Sequence, residues 1–112
     1  MVENAGASIE RYMNLVSTRQ KVVAANIANA DTPGYQTKDI DFRAELENQI
    51  GSRSPNILEV PGLTTKNDGN NVNVDREAKL LAENALRFSV ASNLARAELS
   101  AIRSAIEEDK TA

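Results

Sequence analysis

The chain has 112 residues, a net charge of −3, and no cysteine, histidine or tryptophan. The missing types exclude thiol chemistry, the usual structural zinc sites and His-based acid–base catalysis, and the acidic balance speaks against a nucleic-acid partner. Only two Phe and two Tyr are present while alanine supplies 16 residues, which points to thin helix–helix contacts in place of a thick aromatic core.

The opening residues, Met1 to Gly6, have neither a basic segment nor an apolar run, so no cleaved export signal is expected. Nowhere does the chain reach the roughly 18 apolar residues of a membrane span. Residues 7–30 predict a helix, with Ser8 as its N-cap. Ile9, Met13, Val16, Gln20, Val23, Ile27 and Ala30 recur at alternating spacings of four and three, the pattern of a coiled-coil seam with one polar member.

The helix ends at Asn29-Ala30-Asp31-Thr32-Pro33-Gly34-Tyr35. Pro33 keeps Thr32 out of the helical region, and Pro33-Gly34 suits the centre of a type II turn with Gly34 at positive φ. Asn29 and Asp31 suit a helix end, where both can bond the local backbone, and Asn26 and Asn29 read as ordinary helix-end polar residues. Residues 35–41 predict a short extended piece, and Phe42, Leu46 and Ile50 predict a short amphipathic helix. Gly51 to Pro61 reads as an irregular linker. Asp68-Gly69, between Thr64–Lys66 and Val72–Val74, is a hairpin signal.

Asp75 suits the N-cap of a second long helix over about 76–107, with Glu77 in its first turn. Its first apolar stripe runs through Ala78, Leu81, Ala85, Phe88, Ser92, Ala95, Leu99, Ile102 and Ile106. A second stripe runs through Leu86, Val90, Leu94, Ala97, Ala101 and Ala105. One partner helix cannot cover both, so neighbours are needed. The acidic Glu107-Glu108-Asp109 opposes the helix dipole, and fraying is expected after Ile106.

The fold class is therefore mainly α: paired long terminal helices, coiled-coil-like, around a short irregular or β-hairpin middle. Three segments follow, 1–35, 36–74 and 75–112. The assembly seam comprises Ile9, Met13, Val16, Val23, Ile27, Leu81, Phe88, Leu99, Ile102 and Ile106. The isolated chain is expected to be loosely folded, its termini ordered by assembly. Carboxylates such as Asp39, Asp41, Glu45 and Glu47 lack a pocket that would make them catalytic, so no enzyme, metal or cofactor is expected.

The run from Arg19 to Tyr35, with Asn26, Ile27, Asn29, Asp31, Thr32, Pro33, Gly34 and Tyr35 at its core, resembles the N-terminal signature of the flagellar axial proteins, the rod and hook subunits. Asp39-Ile40-Asp41-Phe42 narrows the resemblance to proximal rod members. Asp68 to Glu77 and Ala82 to Phe88 are similar to their later segments, although the stretch between Phe42 and Asp68 is shorter than usual there. The resemblance implies a structural subunit of the basal-body rod, exported by the flagellar type III route without a cleaved signal. It implies polymerisation in the periplasm into a torque-transmitting, export-conducting shaft. Its implied partners are copies of itself, other rod proteins, a FliE-type adaptor, and membrane-ring and export-gate components. It also raises a second reading for Asn26 and Asn29, as amides that bond backbone across subunits. The alternatives are a cytosolic helical-hairpin adaptor or export chaperone, and another rod or hook subunit.

Overall fold

The computed structural model describes residues 2–48 and 54–111. Helix α1 spans Val2–Ala28, strand β1 Lys38–Ile40, helix α2 Phe42–Glu47, strand β2 Ile57–Glu59 and helix α3 Val74–Thr111. The two long helices run antiparallel. Asn26 near the end of α1 bonds Glu77 at the start of α3, and at the other extremity Gly6 lies against Glu98. The molecule is elongated, 71 × 26 × 17 Å, and the strands and α2 sit against the inner end of the helix pair.

Helix α3 exceeds its predicted bounds at both ends, whereas α1 begins earlier than predicted and stops at Ala28, short of the predicted end at residue 30. The apolar and alanine-rich residues before Ser8 continue the helix, so Ser8 lies within α1. At the start of α3 the cap is Asn73, whose Oδ1 accepts from Arg76 N at 3.1 Å, and Asp75 falls inside the first turn. The acidic end of α3 stays helical to Thr111. An adverse dipole interaction amounts to only about 0.3–1 kcal/mol at an exposed terminus, which the good helix formers there offset.

The middle differs more. β1 falls within the extended piece, but its antiparallel partner is β2, with Lys38 opposite Glu59 and Ile40 opposite Ile57. Part of the predicted linker is thus a strand. Asp68-Gly69 does turn, with Gly69 N bonding Lys66 O at 2.9 Å and Gly69 at φ +87°. No strands flank it; the chain is held there by side chains. Asp41 caps α2 through Ala44 N, while Ile50 and residues 51–53 lie outside the described residues.

The core sits at the inner end: Leu15, Val16, Val22, Val23, Ile40, Val72 and Ala91. On α1 the predicted seam is half right. Val16 and Val23 are buried, Ile9, Met13 and Ile27 half-buried, and Leu15 and Val22 are buried as well. The last two lie off the stripe because the strands and α2 cover a second side of α1. On α3 the inward residues are Glu77, Asn84 and Ala91, one every seven, rather than Leu81, Phe88, Leu99, Ile102 and Ile106, which are all exposed. The helix is turned so that small and polar residues meet α1. The large apolar side chains flank that contact, Leu94 among them across a cleft from Ile9, and Leu86 and Val90 project from the far side, Leu86 being 67% exposed.

This orientation is testable by chemical denaturation. Ala91→Leu, at the close helix contact, is expected to lose about 1–3 kcal/mol through overpacking. Leu86→Ala, on the far side, is expected to change stability by less than about 0.5 kcal/mol.

Candidate functional site

The most densely bonded part of the molecule is the junction where α1 ends and α3 begins. Asn26 is completely buried. Its Nδ2 donates to Lys38 O at 2.8 Å and to Glu77 Oε1 at 2.7 Å. Its Oδ1 accepts from Tyr35 OH at 3.0 Å and from Lys38 N at 3.1 Å. Two donor hydrogens and two lone pairs are all a side-chain amide has, so Asn26 is saturated. It ties α1, the turn, β1 and α3 at one point.

Charges extend this network. Glu77 is fully buried, and its second oxygen accepts from Arg76 Nη1. Arg76 Nη2 also donates to Asp39 Oδ2 at 2.9 Å, and Arg19 grips both oxygens of Asp39 at 3.0 and 2.9 Å. Two guanidinium groups thus alternate with two carboxylates, and the cluster is neutral. Burial by itself would lower the pKa of Arg76, but hydrogen bonds and charge from Glu77 and Asp39 outweigh it and raise it. Burial, with Glu77 nearby, also raises the Tyr35 phenol above its ordinary value.

A second layer holds the turn that follows α1, bonding carbonyls that the helix itself does not use. Asn70, also fully buried, donates from Nδ2 to Asn29 O and Thr32 O, both at 2.8 Å. Its Oδ1 accepts from Val72 N. Lys66 Nζ reaches Ala30 O at 3.2 Å. Asn71 Oδ1 accepts from Thr37 N at 2.6 Å, and its amide nitrogen donates to Gln36. The two turns touch: Gly34 N donates to Asp68 O at 2.9 Å. A Cβ on Gly69 would stand 3.3 Å from Gly34 Cα, so this approach requires glycine in addition to the positive φ.

The extended run Asp39-Ile40-Asp41-Phe42 divides the remaining work. Asp39 holds the two arginines, Ile40 enters the core and Asp41 caps α2. The Phe42 ring meets Tyr12 edge-on at 5.6 Å and lies under the guanidinium groups of Arg19 and Arg87, 5.9 and 5.4 Å away. Among the described residues no group of three His, Cys, Asp or Glu side chains is placed to hold a metal.

Comparison with known proteins gives this junction its context. A family model described as flagella basal body rod protein matches residues 13–36. The flagellar basal body rod protein FlgB of Escherichia coli strain K12 is 35% identical, over 72% of this chain and 77% of the relative. The FlgB of Borrelia hermsii is 34% identical over 75% and 82%, and that of Yersinia ruckeri 28% over 88% and 90%.

The chain belongs to the FlgB family of flagellar basal body rod proteins. The FlgB family is structural and non-enzymatic. Within this member, the sequence-predicted turn residues do not form one cluster. Asn26 and Tyr35 are in the buried junction. Ile27 is half-buried on α1, Asn29 donates locally to Ala25 O at 2.8 Å, and Asp31, Thr32, Pro33 and Gly34 form the exposed tip. Gly34 takes φ +76°, and Tyr35 N bonds Thr32 O, as the turn reading requires. Because Asn26 is saturated within the chain, no atom of its amide is left for a neighbouring subunit.

Sequence reasoning missed Arg19, Asn70, Asn71, Glu77 and Asn84 as site residues. The signals existed. Three asparagines within Asn70–Asn73 mark local side-chain-to-backbone bonding, and Glu77, Asn84 and Ala91 share one heptad phase on α3.

Two outcomes are expected in denaturation of the isolated chain. Asn26→Ala leaves Lys38 N, Lys38 O, Tyr35 OH and one oxygen of Glu77 without their Asn26 partner, and is expected to cost about 3 kcal/mol or more. Asn29→Ala removes two exposed local bonds, to Ala25 O and from Thr32 Oγ1, and costs no more than about 1 kcal/mol because water replaces both. Tyr35 supplies the pH dependence. Its pKa in the folded chain lies above the unfolded value of 10.0, so its contribution is complete below pH 10 and falls as pH rises through the folded pKa. Tyr35→Phe should lower stability at pH 7 and flatten the decline above pH 10, read from melting curves across that range.

Proposed function

We propose that this chain is a proximal rod subunit which closes one end on itself and offers the rest of its helix pair to neighbouring subunits. One observation carries this reading. Polar groups at the inner end are matched almost atom for atom, whereas Leu86, Val90, Leu94, Leu99 and Ile106 stand uncovered along α3. Exposed apolar side chains on opposite sides of one helix belong to interfaces on both sides. Rod assembly supplies such neighbours, and a two-helix adaptor of fixed size leaves them unexplained.

In this proposal segments 1–35 and 75–112 form the wall of the shaft. Segment 36–74 is held against its inner end by the junction. The polymer transmits torque through helix packing and conducts export along its axis. The subunit works in the periplasmic part of the basal body after type III export without a cleaved signal, beside other rod proteins, a FliE-type adaptor, and the membrane-ring and export-gate components. The proximal position is supported by the fit of Asp39 to Phe42 into the junction together with the FlgB relatives.

A charge at the assembly seam tests it. Ile102 lines the open side of the helix pair and is 38% exposed, so Ile102→Asp is expected to leave the circular dichroism of the isolated chain unchanged. In cells whose only copy carries the change, basal bodies should lack complete rods and swimming should cease, because an interface closing over an unpaired carboxylate is costly. Normal rods and motility would remove the seam from the assembly surface.

A further inference from the structure

Beside the Asn26 junction, which is saturated, lies a polar site that is not. On the side of the helix pair left uncovered by α2, a groove runs between α1 and α3. Its inner part encloses about 520 Å³, with Val16, Gln20, Asn84 and Phe88 among its walls. An outer part of about 370 Å³ continues past Met13 and Leu99. Asn84 is only 1% exposed, yet both its Nδ2 and its Oδ1 lack a hydrogen-bond partner, as does Gln20 Oε1 on the facing helix. A buried amide without partners is costly and rare in a finished structure. Lys21 stands exposed on the same rim. Among the described residues it has no ion-pair partner.

We infer that this groove receives the opposite face of α3 from a second copy of the chain, with Lys79 and Glu83 of that copy completing Asn84, Gln20 and Lys21. The inference rests on the rod-subunit reading and adds the identity and register of the contact. At 3.6 residues per turn, the exposed pair Leu86 and Val90 lies roughly half a turn around α3 from the groove wall of Ala85, Phe88 and Leu99. One molecule thus carries a groove and a ridge facing opposite ways. Such a contact is heterologous, repeating from copy to copy into a ring or helix instead of stopping at a dimer.

Charge selects the register. Lys79 and Glu83 lie one turn apart on the face that continues the ridge toward the inner end, and neither has an ion-pair partner among the described residues. Gln20 and Asn84 face each other across the inner groove, so a copy set side by side without axial displacement brings its Glu83 to Lys21 and Asn84 Nδ2. Its Lys79 then supplies the donor that the amide oxygens of Gln20 and Asn84 lack. Leu86 enters the groove beside Ser17, where the wall residue Ala85 leaves room, and Val90 follows into the outer part beside Met13.

A charge exchange tests the contact in cells expressing only the variant chain. Lys21→Glu and Glu83→Lys should each reduce the spread of swimming colonies at least fivefold. The double variant should restore at least half of the wild-type spread. The chain has no cysteine, so Ser17→Cys combined with Leu86→Cys should give, in oxidised swimming cells, a ladder of covalently joined copies, while Ser17→Cys alone should give none. Single exchanges that swim normally, a double variant as impaired as its parents, or swimming cells without a ladder would each overturn the inference. So would a Ser17→Cys dimer, or a cross-linked product containing a different protein. In all of these the wild-type chain is still recovered in purified basal bodies; its absence there would strike the rod-subunit reading itself.

Discussion

A single buried amide sets the geometry of this molecule. Asn26 donates twice and accepts twice, and its four partners belong to the Pro-Gly turn, β1 and the first turn of α3. A hydrophobic contact at that point could slide by an ångström at little cost. Four directed hydrogen bonds cannot, because each is lost within a few tenths of an ångström and some tens of degrees. The buried Glu77, matched on one oxygen by Asn26 and on the other by Arg76, adds a charge whose exposure to an apolar environment without partners would be prohibitive. The crossing of the two helices is therefore fixed by polar chemistry at the inner end.

That choice explains the uneven distribution of apolar residues. With Glu77, Asn84 and Ala91 turned toward α1, the contact between the helices buries little hydrocarbon. The large side chains of α3 are pushed to its flanks, where the isolated chain cannot cover them. One end is specified and closed; the other is apolar and open on two sides. A subunit of a polymer profits from this division. The closed end presents a defined shape to every neighbour, and the open surfaces give association its driving force.

The middle segment has a similar economy. It forms only two three-residue strands and one short helix, too little for a core of its own. Phe42, Ile40 and Val72 instead add to the core beneath α1, and the cation–π stack of Arg19 and Arg87 on Phe42 lets two charged side chains serve as packing material. The missing side chain of Gly69 allows the two turns to come within van der Waals distance at Gly34, so that residues far apart in the chain share one set of hydrogen bonds.

Local chemistry along the chain was enough to determine the two long helices, the stop at Pro33-Gly34, and the surplus of apolar surface over what one partner could cover. Periodicity and turn residues act over a few positions, and those positions are adjacent in sequence. The rotation of α3, the pairing of β1 with β2 and the roles of Asn70, Glu77 and Asn84 were decided only when distant segments met. Seven-residue spacing describes the polar series Glu77, Asn84, Ala91 as well as it describes the apolar one beside it. Which series faces inward depends on whether Glu77 finds Asn26 and Arg76, and that is a property of the folded chain.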